Sequence, residues 1–277
     1  LAEEQRFHDR VALRLGDDGV AQVRLARPDK MNALDSAMFD GLVAVGAALQ
    51  QQSGLRAVVL HGEGRAFCAG LDMGRFGDMA QSSGAASAGF SSLHVRTHGL
   101  ANAFQQVAWQ WRLLPVPVVC AVQGVAFGGG LQIALGADVR LLAPDARMSV
   151  MELQWGLVPD MAGMPLLREL VRGDIARELV FSARILGAEE ACQIGLGTRL
   201  CADPLAEALA MARGIAGRNP DAVRAAKRLL NQSVDADAAA LLQAESDEQL
   251  RLLGSANQRE AVLSVMEKRP GRFSDPV

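Results

Sequence analysis

The sequence predicts an α/β core followed by a helical C-terminal region, and three observations carry that reading. Apolar runs typical of buried strands alternate with helix-forming stretches through the first two-thirds. Two of those runs lead straight into glycine-bearing turns. The last third carries apolar stripes at helical spacing, which places a helical region at 201–277 beside a core at 1–200.

The clearest unit is VVCAVQGVAFGGGLQIALG, residues 118–136. Val118, Val119 and Val122 are β-formers bounded by Pro117 and Gly124, the pattern of a strand buried on both faces. Gly124, Gly128, Gly129 and Gly130 lack Cβ atoms, so the backbone can turn with positive φ and a ligand can approach its N–H groups. Leu131, Ile133, Ala134 and Leu135 then read as a short buried helix that starts at the glycines. The first N–H groups of a helix have no partner within it and sit at the positive end of its dipole, so this turn suits a phosphate or a developing oxyanion. No Lys-Ser or Lys-Thr follows, and the spacing is not G-x-G-x-x-G, which makes a nucleotide phosphate the weaker choice. Close packing of helix on sheet is the plain structural alternative.

The other elements follow in order. Residues 11–25 alternate apolar and polar around an Asp-Asp-Gly turn and read as a hairpin. In 36–52, Met38, Leu42, Val45 and Leu49 recur at helical spacing, with Asp35 or Ser36 as N-cap. Residues 55–61 form a second buried strand entering GEGRAFCAGLDMG. A Ser, Gly and Ala-rich stretch at 77–99 reads as a mobile loop or lid leading into a helix. A helix over 102–114 is stopped by Pro115 and Pro117, and 137–142 is a third core strand. Beyond a strand or loop at 148–161, helices are predicted near 164–171, 174–182 and 188–194, and then over 204–216, 221–231, 235–253 and 256–268.

Composition narrows the function. With 277 residues, half of them hydrophobic, the chain can bury a large core, and its net charge of -3 offers no basic footprint for nucleic acid. No apolar run is long enough to span a membrane and the first residues lack the order of a signal peptide, so a cytoplasmic protein without membrane contact is expected. Cys68, Cys120, Cys192 and Cys201 lack the spacing of a zinc site and read as packed thiols. His94 and His98 stand four apart in a predicted helix, but no further ligand accompanies them, and no metal is expected.

RPDKMNAL (27–34), RAVVLHGEGRAFCAGLDM (56–73), PVVCAVQGVAFGGGLQIALGADVRLLAPDARMSVMELQWGLVPDMAG (117–163) and SARILGAEEACQIGLGT (182–198) together resemble the crotonase, or enoyl-CoA hydratase/isomerase, superfamily. The resemblance covers nearly the whole chain. It implies a spiral of ββα turns, a helical C-terminal trimerisation region, a homotrimer or dimer of trimers, and an acyl-CoA substrate with no separate cofactor. The family's oxyanion hole maps to the backbone N–H groups of Leu71 and Gly129. Ala69, Gly70 and Asp72 flank the first donor, Asp72 as a turn residue. Arg27, Lys30, Met31 and Ala33 match the segment that lines the coenzyme, and Lys268 and Arg269 could reach a neighbour's adenosine phosphates.

Enolate chemistry also needs a base. Hydratases of the family carry two Glu residues, and this chain has Gln132 at the first position and Glu152 at the second. A glutamine cannot exchange a proton at neutral pH. Asp160 lies at the spacing of the second acid in the dienoyl-CoA isomerase branch, though it reads equally as a helix N-cap. A single Glu suffices for double-bond isomerisation, which is therefore placed ahead of syn hydration. A CoA-binding protein without turnover is the reading from another class.

Overall fold

The structure, a computed structural model, describes residues 3–74 and 93–276. Among the described residues its larger sheet contains β1 (Gln5–Phe7), β2 (Val11–Leu15), β3 (Val20–Leu25), β4 (Ala57–Gly62), β5 (Val118–Val122), β7 (Val139–Leu142) and β10 (Arg199–Leu200), in that spatial order. β1, β2 and β3 pair antiparallel, and every later neighbour pairs parallel. The predicted hairpin is present, its turn closed by Asp18 accepting from the Val20 N–H at 3.1 Å.

β4 and β5 are buried at every position because the sheet is covered on both faces. Val58, Leu60, Val118, Cys120 and Val122 belong to the main core with α1 (Ser36–Gln50) and α2 (Ala103–Leu113). The alternate residues Ala57, Val59, Val119 and Ala121 meet Ala208 and Ala212 of a helix at Pro204–Ala216 that crosses the opposite face. Burying one large aliphatic side chain is worth about 1.5–3 kcal/mol, so continuous apolar runs are what such a strand requires.

The helices start where their caps say. Asp35, not Ser36, caps α1 by accepting from the Met38 N–H at 2.8 Å, and Met38, Leu42, Val45 and Leu49 are all buried. Asn102 and Gln105 form a reciprocal capping box on α2. Gln110 of α2 donates to the Leu42 carbonyl at 2.8 Å.

A second layer consists of β6 (Val125–Phe127), β8 (Arg147–Ser149) and β9 (Leu186–Gly187). Isolated parallel bridges Cys68↔Ala126 and Leu34↔Leu71 continue its logic into the earlier turns. Each pass of the chain leaves the large sheet, turns, pairs with the next pass and returns through helical or irregular chain. This is the spiral of ββα turns that the resemblance implied. β6 corrects the simpler expectation of strand, turn and helix: between Gly124 and Gly128 the chain pairs with β8 before α3 (Gly129–Leu135) begins.

Further corrections are local. Described residues 93–99 are turns and irregular backbone, so His94 and His98 do not share a helix face, and the His98 ring contacts Thr97 at 2.8 Å. Among the described residues no group of three or more candidate ligands could hold a metal. The helix predicted near 164–171 is the shorter α4 (Gly163–Leu167). The mobile-loop expectation falls mostly on 75–92, outside the described residues.

In the C-terminal third, the helix at Pro220–Gln232 is tied to the core by Lys227, which is buried. Its ammonium donates to the Trp111 and Val116 carbonyls at 3.0 and 2.9 Å and to Asp138 at 2.7 Å. The helices Ala238–Leu252 and Ala256–Met266 leave Leu250, Val265 and Met266 exposed. No helix among the described residues is long and apolar enough to cross a membrane.

Candidate active site

A cleft of about 490 Å³ opens where three turns meet, two of them glycine-bearing, and its wall is mostly apolar. Lys30, Met31 and Ala33 come from the turn after β3, Ala69 to Asp72 from the turn after β4, and Gly128 and Gly129 from the start of α3. Glu152 closes the far side from a 3-10 turn, Glu152–Trp155, that follows β8.

Two residues that line this cleft, Leu71 and Gly129, have backbone N–H groups without a partner among the described residues. Leu34 donates to the Gly70 carbonyl at 2.8 Å and accepts from the Asp72 N–H at 3.1 Å. That pairing uses the groups on either side of Leu71, and among the described residues the Leu71 N–H has no partner. Gly129 is the first residue of α3, where an N–H has no helical partner, and its N-cap Gly128 has no side chain to supply one. The two turns touch: a Cβ added to Gly70 would lie 3.8 Å from the Gly129 nitrogen and 2.6 Å from the Phe127 carbonyl oxygen. Gly70 has φ of +88° and Gly128 of +50°, values that favour glycine at both positions.

Glu152 and Gln132 make the polar centre. Gln132 is buried, and its Oε1 accepts from the Met161 and Gly163 N–H groups at 2.8 and 2.9 Å. Those two donors fix which end of the amide is oxygen, so Nε2 must point at Glu152, where it donates to Oε1 at 2.5 Å. The other carboxylate oxygen, Oε2, is buried and has no partner among the described residues. Burial raises the Glu152 pKa above the ordinary 4.5, the Gln132 hydrogen bond opposes that rise, and the nearby charge of Asp160 adds to it. A carboxylate with one oxygen held and one free beside a cleft can take and return a proton.

Asp160 does not cap a helix. The N-cap of α4 is Ala162, with φ of +63° and no side-chain cap, which removes the cap alternative. Asp160 keeps solvent contact, yet desolvation by the surrounding protein raises its carboxyl pKa. It is electrostatically coupled to Glu152 from outside the residues that line the cleft.

Other candidates separate into lining and support. Asp72 is a turn residue, as expected, accepting from the Gly74 N–H at 2.9 Å and from Arg27 at 2.6 Å. Arg27 also donates to the Ala33 carbonyl at 3.0 Å, so its guanidinium braces the turn rather than lining the cleft. Arg269 is engaged by Glu260 and Glu267. Cys68 is a packed thiol, pushed up to about 12 by burial. Sequence reasoning passed over Asn32 and the Met161 and Gly163 N–H groups. Only the first carried a signal, a polar residue in the RPDKMNAL motif.

Comparison with known proteins identifies the family and the fold. The enoyl-CoA hydratase/isomerase family matches residues 16–276. The protein named probable enoyl-CoA hydratase echA6 of Mycobacterium tuberculosis is 34% identical over 256 residues, which cover 92% of this chain and 96% of that one. The short-chain-enoyl-CoA hydratase of Clostridium acetobutylicum is 30% identical over 253 residues, 90% and 92% of the two chains. A crystal structure of enoyl-CoA hydratase from Bacillus anthracis superposes with a TM-score of 0.84 at 25% identity, covering 95% of this chain and 98% of the other.

Proposed function

This chain belongs to the enoyl-CoA hydratase/isomerase family, and from that premise we propose that it shifts the double bond of an enoyl-CoA thioester by proton transfer through an enolate. The observation that carries the proposal is the unequal pair of oxygens on Glu152: Oε1 is held by Gln132 and Oε2 is buried and unpartnered. In a 3-enoyl-CoA, Oε2 takes a proton from C2 and the electron pair of the C–H bond spreads through a dienolate to the thioester oxygen. The Leu71 and Gly129 N–H groups hold that oxygen. The same carboxyl then returns the proton to C4, the 2-enoyl-CoA forms, and no atom is gained or lost. Gln132 orients the carboxylate but holds no exchangeable acid proton. Removing one backbone donor of this kind typically raises a barrier by about 2.7–4 kcal/mol.

Lys30, Met31 and Ala33 line the cleft on the side where the coenzyme would enter, with Arg27 bracing their turn. The reaction requires no cofactor beyond the CoA of its substrate. The exposed apolar residues of the last two helices suit assembly into a homotrimer or a dimer of trimers, which sedimentation would read as a multiple of the chain mass.

Syn hydration of a 2-enoyl-CoA is the second reading, favoured by the names of the relatives and by Asp160, whose charge is coupled to Glu152. Incubation with a 3-enoyl-CoA and, separately, with crotonyl-CoA separates the two. Isomerisation gives a gain of conjugated absorbance at constant mass from the first substrate. Loss of conjugation with gain of water from the second overturns it in favour of hydration. Binding without either reaction would leave a CoA-binding protein.

The pH dependence is a further check. Glu152 must be ionised to start the cycle, and its pKa lies above 4.5, so kcat is expected to climb with pH through that raised value and then level off. A bell-shaped profile would require a second group that must be protonated, which is the hydratase pattern.

A further inference from the structure

We propose that Asn32 is the positioning residue that sets the separation of the two donors in the oxyanion hole; this rests on the enolate reading above. Asn32 is fully buried and sits at φ of +55°, a left-handed conformation that asparagine adopts more readily than other side chains. Its Nδ2 lies 3.0, 2.9 and 3.1 Å from the carbonyl oxygens of Glu63, Ala66 and Phe67. Two N–H bonds thus serve three acceptors on the turn after β4. Its Oδ1 accepts from the Arg27 N–H at 2.9 Å, and its own N–H donates to the Arg27 carbonyl at 2.9 Å, so the turn after β3 is closed on the same residue.

The staple reaches the donors through Cys68. The Cys68 thiol donates to the Asn32 carbonyl at 3.1 Å. The Cys68 N–H donates to Val125 at 3.0 Å and its carbonyl accepts from Phe127 at 3.1 Å, which is the parallel bridge Cys68↔Ala126. Leu71 lies three residues beyond one member of that bridge and Gly129 three residues beyond the other. Two segments leaving a parallel bridge in the same direction with equal lengths bring their third residues side by side. Ala66 and Phe67, which Asn32 holds, are the residues that enter the bridge. Removing the amide frees three carbonyls, two of them buried, and lets the first donor drift from the second, and a shift of about 1 Å in a reacting geometry can cost on the order of 10²-fold in rate.

The test uses Asn32→Gly, which keeps the left-handed backbone and removes the amide, and Asn32→Ser, which keeps one hydroxyl donor. Each folded variant is compared with wild type in kcat, KM and the carbonyl stretching frequency of bound butyryl-CoA labelled with carbon-13 at the thioester carbon. Wild type is expected to lower that frequency relative to free ligand. The glycine variant should lose most of the shift and about 10²-fold in kcat with KM little changed, and the serine variant should fall between. A wild-type shift and kcat in either folded variant overturns the role of Asn32. If wild type itself shows no shift with ligand bound, the oxyanion reading fails first, and the two failures are thereby distinguished.

Discussion

Glu152→Gln is expected to lower kcat by about 10²- to 10⁴-fold while acyl-CoA affinity stays nearly constant. The substitution is close to isosteric, and the new amide oxygen can still accept from Gln132 Nε2, so the local geometry has no reason to collapse. What is lost is the carboxylate of Glu152, which lines the cleft and whose Oε2 is buried without a partner among the described residues. Stability gives an independent reading. Folding raises the Glu152 pKa above 4.5, so the folded state holds the proton more tightly and the ionised form opposes folding. That opposition is absent below about pH 4.5, grows as pH rises through the raised pKa, and is complete above it. The Gln variant should therefore melt no lower than wild type at neutral pH, with any gain vanishing in acid. A variant that keeps wild-type kcat would show that Glu152 is not the base.

Gly70→Ala is expected to reduce kcat by about 10²- to 10³-fold and to destabilise the fold by about 1–3 kcal/mol. Gly70 has φ of +88°, and an added Cβ would stand 2.6 Å from the Phe127 carbonyl oxygen. That neighbour is backbone and cannot swing aside, so the turn after β4 must move, carrying the Leu71 N–H away from Gly129. Gly99→Ala is the matched control, because Gly99 also has positive φ, at +63°, but an added Cβ would meet nothing within 4 Å among the described residues. Backbone strain alone should lower its melting temperature while leaving turnover intact. Equal loss of activity in both variants would mean that strain, not displacement of a donor, is responsible. Steady-state kinetics and thermal melts on both decide the matter.

Much of this protein was legible in the order of its residues, because local chemistry governs local structure. The apolar runs at β4 and β5, the stripe of Met38, Leu42, Val45 and Leu49, and the helix stops at Pro115 and Pro117 follow from periodicity and backbone restriction, and the structure bears them out. Gln132 in place of an acid, and Glu152 in an apolar setting, could be read directly. Other features were decided only when distant segments met. β6 is a three-residue strand, too short to show a period, and it exists because β8 and Cys68 pair with it. Arg27 is as exposed in a sequence as any cation, but in the fold Asp72 and Ala33 claim its guanidinium. The cap reading of Asp160 fell because α4 starts later, and the helix expected for His94 and His98 did not form. Gln132 could be identified as a poor acid from its type alone, but the direction of its amide was set by two N–H groups far along the chain. The sequence determined which elements form, since each depends on neighbours a few residues away. Tertiary structure decided which backbone donors stay free and which carboxylate oxygen of Glu152 is held, since those depend on partners that only folding brings within hydrogen-bonding reach.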